Sequence, residues 1–455
     1  MKKTNKKGFT IVELVIVIAV VAILAAVLIP TFVSVTRKAN ESNDVQAARN
    51  MNTFLAAAKV TDGVDSILDV YDIFEDSGYS VENYKPLYSG RHYYYDKQYN
   101  QIVYVNEADN TIIYPAEHKG ETRGDHDWFS LSMSVAKTKE PAAGNYTNAS
   151  GTITATVTNT EEYAYVIQQY NEKGSTLNLT IVGDLDLMGA TCAIKETKGD
   201  ITIKGESAKP VVIKNVTSNS QLDTGIVHNA EGVKANYYAG GIVTKITTGK
   251  SVTFENVVFE NIHVKTPTVG GAGIIVGQML ATNDSHAKLT FNNVTVKNSS
   301  VIGHRDVGAL VGAMQNGCEL LFNGNVTLEN VKVKTTGGRS GLVVGKLTGK
   351  SSITFATGAD LVINNSDMSI YNDKNLEQKF AAGETVPTEW GNNISSTVKI
   401  EEQDQFIYSY KGLKDGAKEY SAYGYKAGAL VIVQNGNTWT AITSLDALKN
   451  GVKAA

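Results

Sequence analysis

The chain has 455 residues, enough for about three domains, and its 42% hydrophobic and 19% charged residues are typical of folded rather than disordered protein. The formal charge of -4 argues against a broad nucleic-acid-binding surface, so no nucleic-acid partner is expected. Cys192 and Cys318 lie far apart and form no CxxC pair, so neither a zinc site nor a disulfide framework is indicated.

The N-terminal segment carries the most informative pattern. Lysines at positions 2, 3, 6 and 7 precede an apolar stretch of 21 residues, 9–29. By the positive-inside rule these lysines hold the N-terminus in the cytoplasm, and the rest of the chain is exported. A helix of that length measures about 31 Å, which matches a bilayer core of about 30 Å. We therefore predict a single-pass membrane helix.

The sequence KKGFTIVE at residues 6–13 places the small Gly8 before the apolar stretch, whereas a secretory signal carries its cleavage site after it. The order of basic leader, Gly8, Phe9, Thr10, Glu13 and apolar residues resembles the class III signal of type IV pilins and type II secretion pseudopilins. The resemblance implies that a prepilin peptidase cleaves between Gly8 and Phe9. It also implies N-methylation of the new amine of Phe9.

Glu13 is unusual in a membrane helix, because a carboxylate in the bilayer costs several kcal/mol unless it is protonated or paired. The resemblance implies that its partner is the Phe9 amine of a neighbouring subunit, so that Glu13 and Phe9 serve filament assembly through the N-terminal helix. The alternative is a plain signal anchor whose Glu13 lies near the cytoplasmic edge of the membrane.

The helix is expected to continue to about Lys59, with a kink or loosened turn at Pro30. Its second half has apolar residues at helical spacing, which predicts a face that packs under a globular head. These residues are Met51, Phe54, Leu55 and Ala58. A second helix is predicted after Asp62, ending at Gly78. Its predicted apolar stripe consists of Val64, Ile67, Leu68, Tyr71 and Phe74.

Short segments rich in aromatic and β-branched residues follow at 92–95, 101–105 and 111–114, and they predict an antiparallel meander. Alternation from Phe129 to Val135 predicts one further half-buried strand. Nine tyrosines between Tyr79 and Tyr114 are interpreted as sheet core, with a carbohydrate-stacking face as the alternative. The nearby residues His118, Asp125, His126 and Asp127 are interpreted as a solvated connection rather than a metal site.

After the polar segment 137–151, Asn159 and Glu162 predict the start of a short helix that ends at Gly174. Glycine-flanked segments then recur at spacings of 32, 35 and 33 residues, beginning at Gly241, Gly273, Gly308 and Gly341. Each is followed by a strand with a phenylalanine and by another in which an apolar residue stands four positions before an asparagine. The phenylalanines are Phe254, Phe291, Phe322 and Phe355, and the asparagines are Asn261, Asn298, Asn330 and Asn365, with an earlier copy at Asn215.

Three short strands per repeat, with the register kept by stacking, predict a right-handed parallel β-helix. Its stacked asparagine side chains are expected to hydrogen-bond along the axis. The helix at 160–171 is expected to cover the open N-terminal end. The repeats resemble GLUG-type repeats of bacterial surface proteins, and the architecture resembles pectate-lyase-like β-helices. A β-sandwich is the structural alternative. Past Lys374, a hairpin at 430–442 and a helix from Ser444 are predicted to close the other end.

Candidate catalytic or calcium-binding residues in the repeats are Asp184 and Asp186, and the turn His304, Arg305 and Asp306. Alternation with Leu185 and Leu187 predicts that the first pair points outward, and the second group is expected to be a charged, solvated turn. No acidic pair recurs on neighbouring repeats. The sequence therefore predicts a non-enzymatic protein with no catalytic residue, metal or cofactor, and leaves open whether these aspartates hide a site.

The resulting prediction is an α+β pilin module, with a long N-terminal helix and a small antiparallel sheet, followed by an all-β domain. The predicted divisions are a leader 1–8, a membrane and filament helix 9–59, a head 60–137, a linker 138–150, a β-helix 151–374 and a C-terminal cap 375–455.

The function predicted is a subunit of a type IV pilus or related filament that displays the β-helix for adhesion, anchored in the cell membrane before it reaches the cell surface. Its expected partners are the peptidase, other pilin subunits, the membrane, and a glycan or a host or surface protein. The alternatives are a membrane-tethered polysaccharide-active enzyme and a pseudopilin of a secretion or DNA-uptake machine.

Overall fold

The computed structural model describes two compact units, one formed by residues 1–64 and 73–126 and the other by residues 65–72 and 127–455. The residues it describes are 11–61, 64, 66–78, 84–131, 138–206, 209–219, 238–266, 271–282, 285–304, 306–335, 340–348, 351–359, 361–368, 398–400, 406–415, 418–425, 430–435 and 438–442. From residue 398 onward the description concerns the backbone alone.

The first helix, α1, spans Ile11–Thr61 and contains Pro30 within its length. Its 51 residues extend about 77 Å at about 1.5 Å per residue. In the second half, Met51 and Leu55 are buried, which confirms the predicted apolar face. The second helix, α2, spans Ile67–Asp76, and its residues Ile67, Leu68, Tyr71 and Phe74 are buried as predicted.

Three antiparallel strands form the meander that the aromatic segments predicted: β1 Arg91–Asp96, β2 Gln101–Asn106 and β3 Thr111–Tyr114. The turns between them use Asn100 and Asn110 in the left-handed region, at φ 52° and 56°, which asparagine tolerates better than most residues. A 3-10 turn at Ala116–His118 follows. The interpretation of the tyrosines as core holds for Tyr84, Tyr93, Tyr95 and Tyr104, which are all buried.

In the second unit, strand β4 spans Trp128–Ser130. The predicted alternation of buried and exposed residues is wrong here, because Ser130 is only 1% exposed. The Ser130 N–H donates to the carbonyl of Met188 at 2.9 Å. At Gly189, with φ +81°, a Cβ atom would lie 2.4 Å from the Ser130 nitrogen, so the close approach of these two backbones requires glycine. The remainder of the predicted strand, 132–135, lies outside the described residues.

A hairpin of β5 Tyr146–Ala149 and β6 Thr152–Val157 lies at the end of the segment that the sequence predicted as a linker. Its turn residues Ser150 and Gly151 have φ values of 52° and 87°. Two consecutive residues with positive φ match the twist of antiparallel strands. Composition alone hides this hairpin, because serine, asparagine and glycine are common in linkers too.

Helix α3 spans Thr160–Lys173, and the side chain of Asn159 accepts a hydrogen bond from the Glu162 N–H, as predicted. The Glu162 carboxylate in turn accepts from the Thr158 N–H at 2.9 Å. The backbone N–H of Gly174 bonds back to the last turn and ends the helix. The buried face of α3 joins the same apolar core as the strands that follow. This face consists of Tyr163, Val166, Ile167 and Tyr170.

Short strands occupy the repeat region from residue 176 to residue 368. They are β7 Thr176–Ile181, β8 Leu185–Asp186, β9 Ile201–Gly205, β10 Val211–Asn219, β11 Ala239–Gly240, β12 Val243–Ile246, β13 Ser251–Thr266, β14 Ala272–Gly273, β15 Val276–Leu280, β16 Lys288–Lys297, β17 Ser300–Gly303, β18 Val307–Gly308, β19 Val311–Gln315, β20 Glu319–Phe322, β21 Val326–Glu329, β22 Lys332–Thr335, β23 Ser340–Gly341, β24 Val344–Thr348, β25 Ser352–Phe355, β26 Leu361–Asn364 and β27 Asp367–Met368.

Equivalent strands of successive repeats pair in parallel. Residues that occupy the same position in successive sequence repeats are register partners in these pairs. The phenylalanines of β13, β16, β20 and β25 are register partners in turn. Val243, Val276, Val311 and Val344 are partners in a second set of ladders. The rings of Phe254 and Phe291 stack with centroids 5.8 Å apart. The inward-facing side chains form one apolar core that extends from Ile153 to Ile363.

The repeated asparagines stand where each strand bends into the next. Asn215, Asn261, Asn298, Asn330 and Asn365 all have positive φ, between 44° and 59°. The Nδ2 of Asn261 donates to Oδ1 of Asn215 at 3.1 Å, and Asn330 donates in the same way to Asn298 at 2.9 Å. The predicted asparagine hydrogen bonds are therefore present between these two pairs, while Asn298 donates to Glu260 at 3.2 Å. The sequence did not reveal the left-handed conformation, which explains the choice of asparagine at these bends.

The C-terminal strands are β28 Val398–Ile400, β29 Phe406–Asp415, β30 Lys418–Tyr425, β31 Leu430–Asn435 and β32 Thr438–Ile442. Strands β29 to β32 pair antiparallel in sequence order, which confirms the predicted hairpin of β31 and β32. Strand β29 also pairs in parallel with β24 and so continues a repeat ladder. The helix predicted from Ser444 lies outside the described residues.

Candidate functional site

Glu13 lies in the first turn of α1 and is exposed. Gly8 and Phe9, the predicted cleavage and methylation residues, lie outside the described residues. From residue 14 to residue 36 the helix carries no charge. The large apolar side chains of this segment are exposed, and Val33 is the least exposed of them at 41%. Ile11, just before the segment, is 82% exposed.

The charge-free segment is 23 residues long, or about 35 Å of helix, and α1 is long and apolar enough to cross a membrane. Apolar side chains around the whole circumference of a helix require a non-aqueous environment, either lipid or other apolar helices. This half of α1 is therefore a segment for insertion or assembly rather than a water-exposed surface.

The second half of α1 is fixed to the small sheet by a buried carboxylate, Asp44. Its two oxygens accept hydrogen bonds from the backbone N–H groups of Leu87 at 2.8 Å and Tyr88 at 2.9 Å. The Tyr104 hydroxyl donates to the same carboxylate at 3.0 Å, and the Tyr93 hydroxyl donates to the Asp44 carbonyl at 2.9 Å. Burial, together with the adjacent Asp44 charge, raises the pKa of Tyr104 well above its ordinary value.

Asn52 makes a second polar link between α1 and the sheet. Its side chain donates to the Ile102 carbonyl at 2.9 Å and accepts from the Ile102 N–H. Neither Asp44 nor Asn52 was predicted from the sequence. The available signal was their position, because residues 44, 48, 51, 52 and 55 lie on one helical face, and two polar residues on an otherwise apolar face indicate specific partners.

The candidate aspartates of the repeat region are held by structural hydrogen bonds. Asp184 is exposed and accepts from the Val212 N–H at 2.8 Å. Asp186 accepts from the Met188 N–H at 3.0 Å and from the Asn215 amide at 2.9 Å. Leu185 and Leu187 are buried, so the predicted alternation is confirmed.

Asp127, interpreted from the sequence as part of a solvated loop, instead binds the first members of the asparagine ladder. One of its oxygens accepts from Lys214 at 2.8 Å and from Asn215 at 3.1 Å, and the other accepts from Asn261 at 3.2 Å. Lys214 also lies 3.6 Å from Asp186, so this one cation faces both carboxylates. The sequence offered no signal for this link, because Asp127 is far from the repeats along the chain.

The two histidines near Asp127 have separate partners. His126 lies 2.8 Å from Asp96, and His118 lies 3.2 Å from Glu121 with its ring stacked on Tyr99. Among the described residues, no group of three or more His, Cys, Asp or Glu is arranged to hold a metal ion.

The predicted solvated turn at 304–306 is corrected by the structure. Asp306 is only 4% exposed, has φ +54°, and lies 3.7 Å from Lys346 on the next repeat. Its carbonyl accepts from the Ala272 N–H of the preceding repeat. Asp306 is buried because it contacts the repeats on both sides. Arg305 lies outside the described residues.

Both cysteines are free thiols. Cys318 is buried, and Cys192 is half-buried. Burial raises the pKa of each thiol to about 12.

Comparison with known proteins places the strongest signal at the N-terminus. A family model described as the prokaryotic N-terminal methylation motif matches residues 3–29. Residues 3–29 are a type IV pilin signal. The match covers the cationic leader, Gly8, Phe9, Glu13 and most of the apolar half of α1, and it does not extend to the sheet or the repeats.

Two pilus proteins of Thermus thermophilus resemble parts of this chain. The type IV wide pilus major component PilA4 is 58% identical over 38 residues, which are 8% of this chain and 29% of that protein. The type IV narrow pilus major component PilA5 is 38% identical over 66 residues, 14% of this chain and 57% of that protein. The chain thus spans less than two thirds of the length of each relative. No solved structure matches it.

Replacement of Asp44 by Ala is expected to destabilise the first unit by about 2–4 kcal/mol, because buried hydrogen-bond donors lose their acceptor. In hydrogen-exchange mass spectrometry of the full chain, the amides of Leu87 and Tyr88 should exchange faster. Asp125→Ala removes an exposed carboxylate and serves as the control. Equal protection of the 84–90 segment in both variants would contradict the assigned role.

Proposed function

We propose that this chain is a pilin-like subunit of a type IV pilus or related filament that carries its repeat region as a display domain. The observation that carries the proposal is the pilin signal at residues 3–29, continuous with a helix whose apolar first half is exposed on all sides. Such a helix fits two environments in turn, the membrane before assembly and the packed core of a filament afterwards.

Processing is proposed at the peptide bond between Gly8 and Phe9, with methylation of the new Phe9 amine. The peptidase is the first partner, and its product keeps the whole apolar segment. In the filament, the Phe9 amine of one subunit pairs with Glu13 of a neighbour. The position of Glu13 on an exposed helical turn, at the end of a charge-free segment of 23 residues, supports this pairing.

The repeat region is proposed to be a right-handed parallel β-helix. Its support is the parallel pairing of equivalent strands at nearly constant chain separation, the single continuous core and the asparagine bends. Right-handed crossovers are strongly preferred when parallel strands are linked within a sheet. α3 follows β6, the first strand of the parallel ladders, and strands β30 to β32 follow β29, which pairs with β24 of the last repeat.

The outer surface of this domain supports a binding role. One column of register partners presents mainly hydroxyl or amide side chains, with Leu321 as the exception. Its members are Thr154, Asn178, Thr202, Thr253, Thr290, Leu321 and Thr354. Such columns, repeated at the strand spacing of about 4.8 Å, suit many weak polar contacts with an extended glycan or a surface protein.

The enzymatic alternative receives less support, because Asp186 and Asp306 are engaged by Lys214 and Lys346 and Asp184 bonds to a backbone amide. A pseudopilin would carry the same N-terminal signal as a pilin. The two alternatives therefore differ in the assembly machine that the subunit joins and not in its processing. The bulk of the repeat region favours a minor or tip subunit over a major one.

Gly8→Val is expected to leave the precursor uncleaved, because a branched side chain at that position obstructs the peptidase. In cells that make the peptidase, intact-mass analysis of the wild-type protein should show a chain that begins at Phe9 with one added methyl group. A mature chain that begins at Met1, or beyond Ile29, would contradict this processing.

Glu13→Val is expected to be inserted and cleaved normally, yet to appear in sheared filaments at about one tenth of the wild-type level or less, because the new subunit lacks its charge partner. Quantitative immunoblots of the membrane and sheared fractions measure both steps. Glu117→Val, which changes an exposed glutamate of the head, is the matched control. Wild-type incorporation of the Glu13 variant would refute the pairing.

The full chain in lipid nanodiscs is expected to retain polysaccharides on a glycan array without releasing reducing ends or unsaturated sugars. Thr253→Ala with Thr290→Ala should weaken retention several-fold by removing adjacent members of the polar column. Sugar release that is abolished by Asp184→Asn or Asp186→Asn would instead establish an enzyme. Empty nanodiscs provide the background.

A further inference from the structure

Two cations directly follow the charge-free segment of α1. Arg37 and Lys38 are exposed, and neither forms an ion pair with another described residue. Because the segment 14–36 extends about 35 Å, a helix that crosses the roughly 30 Å hydrocarbon core with Glu13 at its inner edge places both cations at the outer phosphate level.

The cations line a groove of about 420 Å³ in the first unit. Its lining residues are Pro30, Val33, Ser34, Arg37, Lys38, Glu41 and Tyr88. The only acid among them, Glu41, lies 3.7 Å from Arg91, and the Arg91 guanidinium lies 4.7 Å from the centre of the Tyr88 ring. The groove therefore has apolar residues, Pro30 and Val33, towards the N-terminal half of α1 and two cations, Arg37 and Lys38, further along the helix.

Leu87 lies next to Tyr88 in the chain and is 63% exposed. Outside the apolar segment of α1, it is the one large apolar side chain with such exposure in the described parts of the chain. The Asp44 carboxylate binds both backbone amides of this dipeptide, so the loop is held beside the helix. Tyrosine is enriched at membrane interfaces, because its ring contacts the acyl chains while its hydroxyl reaches the headgroups.

We propose that Arg37, Lys38, Leu87 and Tyr88 form an interfacial site for an anionic phospholipid of the outer leaflet. The two cations bind the headgroup phosphate, the Tyr88 ring lies at headgroup level, and the exposed Leu87 side chain lies beside it at the outer membrane surface. This inference rests on the proposed function, because the lipid would bind the subunit in the membrane before filament assembly. A second copy at the same depth would present the same two cations, whose repulsion disfavours it as the occupant.

The test uses the full chain with Ser89→Cys, labelled with the environment-sensitive dye NBD, in vesicles of phosphatidylcholine with or without phosphatidylglycerol. Ser89 is exposed and adjacent to Tyr88, so Leu87 and Tyr88 are retained. Doxyl groups on the lipids quench the dye when it enters the interface. Wild-type protein treated with the dye gives the background from Cys192 and Cys318. A dye at Glu117→Cys, in the 3-10 turn that follows β3, is the reference position.

With phosphatidylglycerol, we expect quenching of the dye at position 89 to rise by at least about twofold. Arg37→Gln with Lys38→Gln, and separately Leu87→Asp, should abolish the rise. Arg49→Gln with Lys119→Gln removes two other exposed cations and should preserve it. Quenching equal to that at position 117, or a change that follows the protein-to-lipid ratio rather than phosphatidylglycerol, would overturn the lipid site.

Carbonate extraction of the same vesicles separates this inference from the proposed function. A chain that is extracted lacks a membrane-spanning helix, which contradicts the proposed function and the lipid site together. A chain that resists extraction while the dye at position 89 stays unquenched contradicts the lipid site alone.

Discussion

The apolar half of α1 exposes isoleucine, valine and leucine side chains over its whole circumference, and water is a poor solvent for such a surface. The two environments that solve this problem are a bilayer and a bundle of similar helices. In either one the Glu13 carboxylate must be protonated or paired with a cation, since a bare carboxylate in hydrocarbon is costly. The need for a non-aqueous environment accounts for three features of the sequence. These are the lysines before the apolar stretch, the lack of charges between Glu13 and Arg37, and the polar residues from Arg37 onward. The remaining half of the helix is polar enough for water and is fixed to a sheet through Asp44 and Asn52.

The repeat region meets a different constraint, since no single repeat can bury its own apolar residues. Stacking solves this by placing each phenylalanine and valine on its counterpart in the next repeat. The bends then need residues that accept positive φ and still satisfy their polar groups, and asparagine does both. Asp127 and Lys214 extend this polar ladder at its N-terminal end. The outward column around Thr253 and Thr290 is a consequence of the same register, because identical positions of successive repeats face solvent side by side.

Patterns local in the sequence predicted much of the fold. The helical face at Met51 and Leu55, the meander at 91–114, the cap at Asn159 and the partners of each repeat follow from periodicity and spacing of residues. Contacts between distant residues were not predictable in this way. Asp127 reaches Lys214 and Asn261, Asp44 reaches the backbone of Leu87, and Asp306 is buried by neighbouring repeats rather than solvated. Composition misled at Ser150 and Gly151, where a polar stretch forms a tight hairpin. The pilin signal was recognisable from Gly8, Phe9 and Glu13, whereas the arrangement of Gly8 and Phe9 lies outside the described residues.

The proposed function requires that one chain join a filament through its helix and display its repeats outside. Cryo-electron microscopy of filaments sheared from cells that produce this chain, with an antibody fragment against the repeat region as a marker, can observe both. We expect α1 packed within the filament core and marker density projecting from the surface or tip. Filaments that lack the chain, with all marker retained in the membrane fraction of cells that cleave it normally, would contradict the claim.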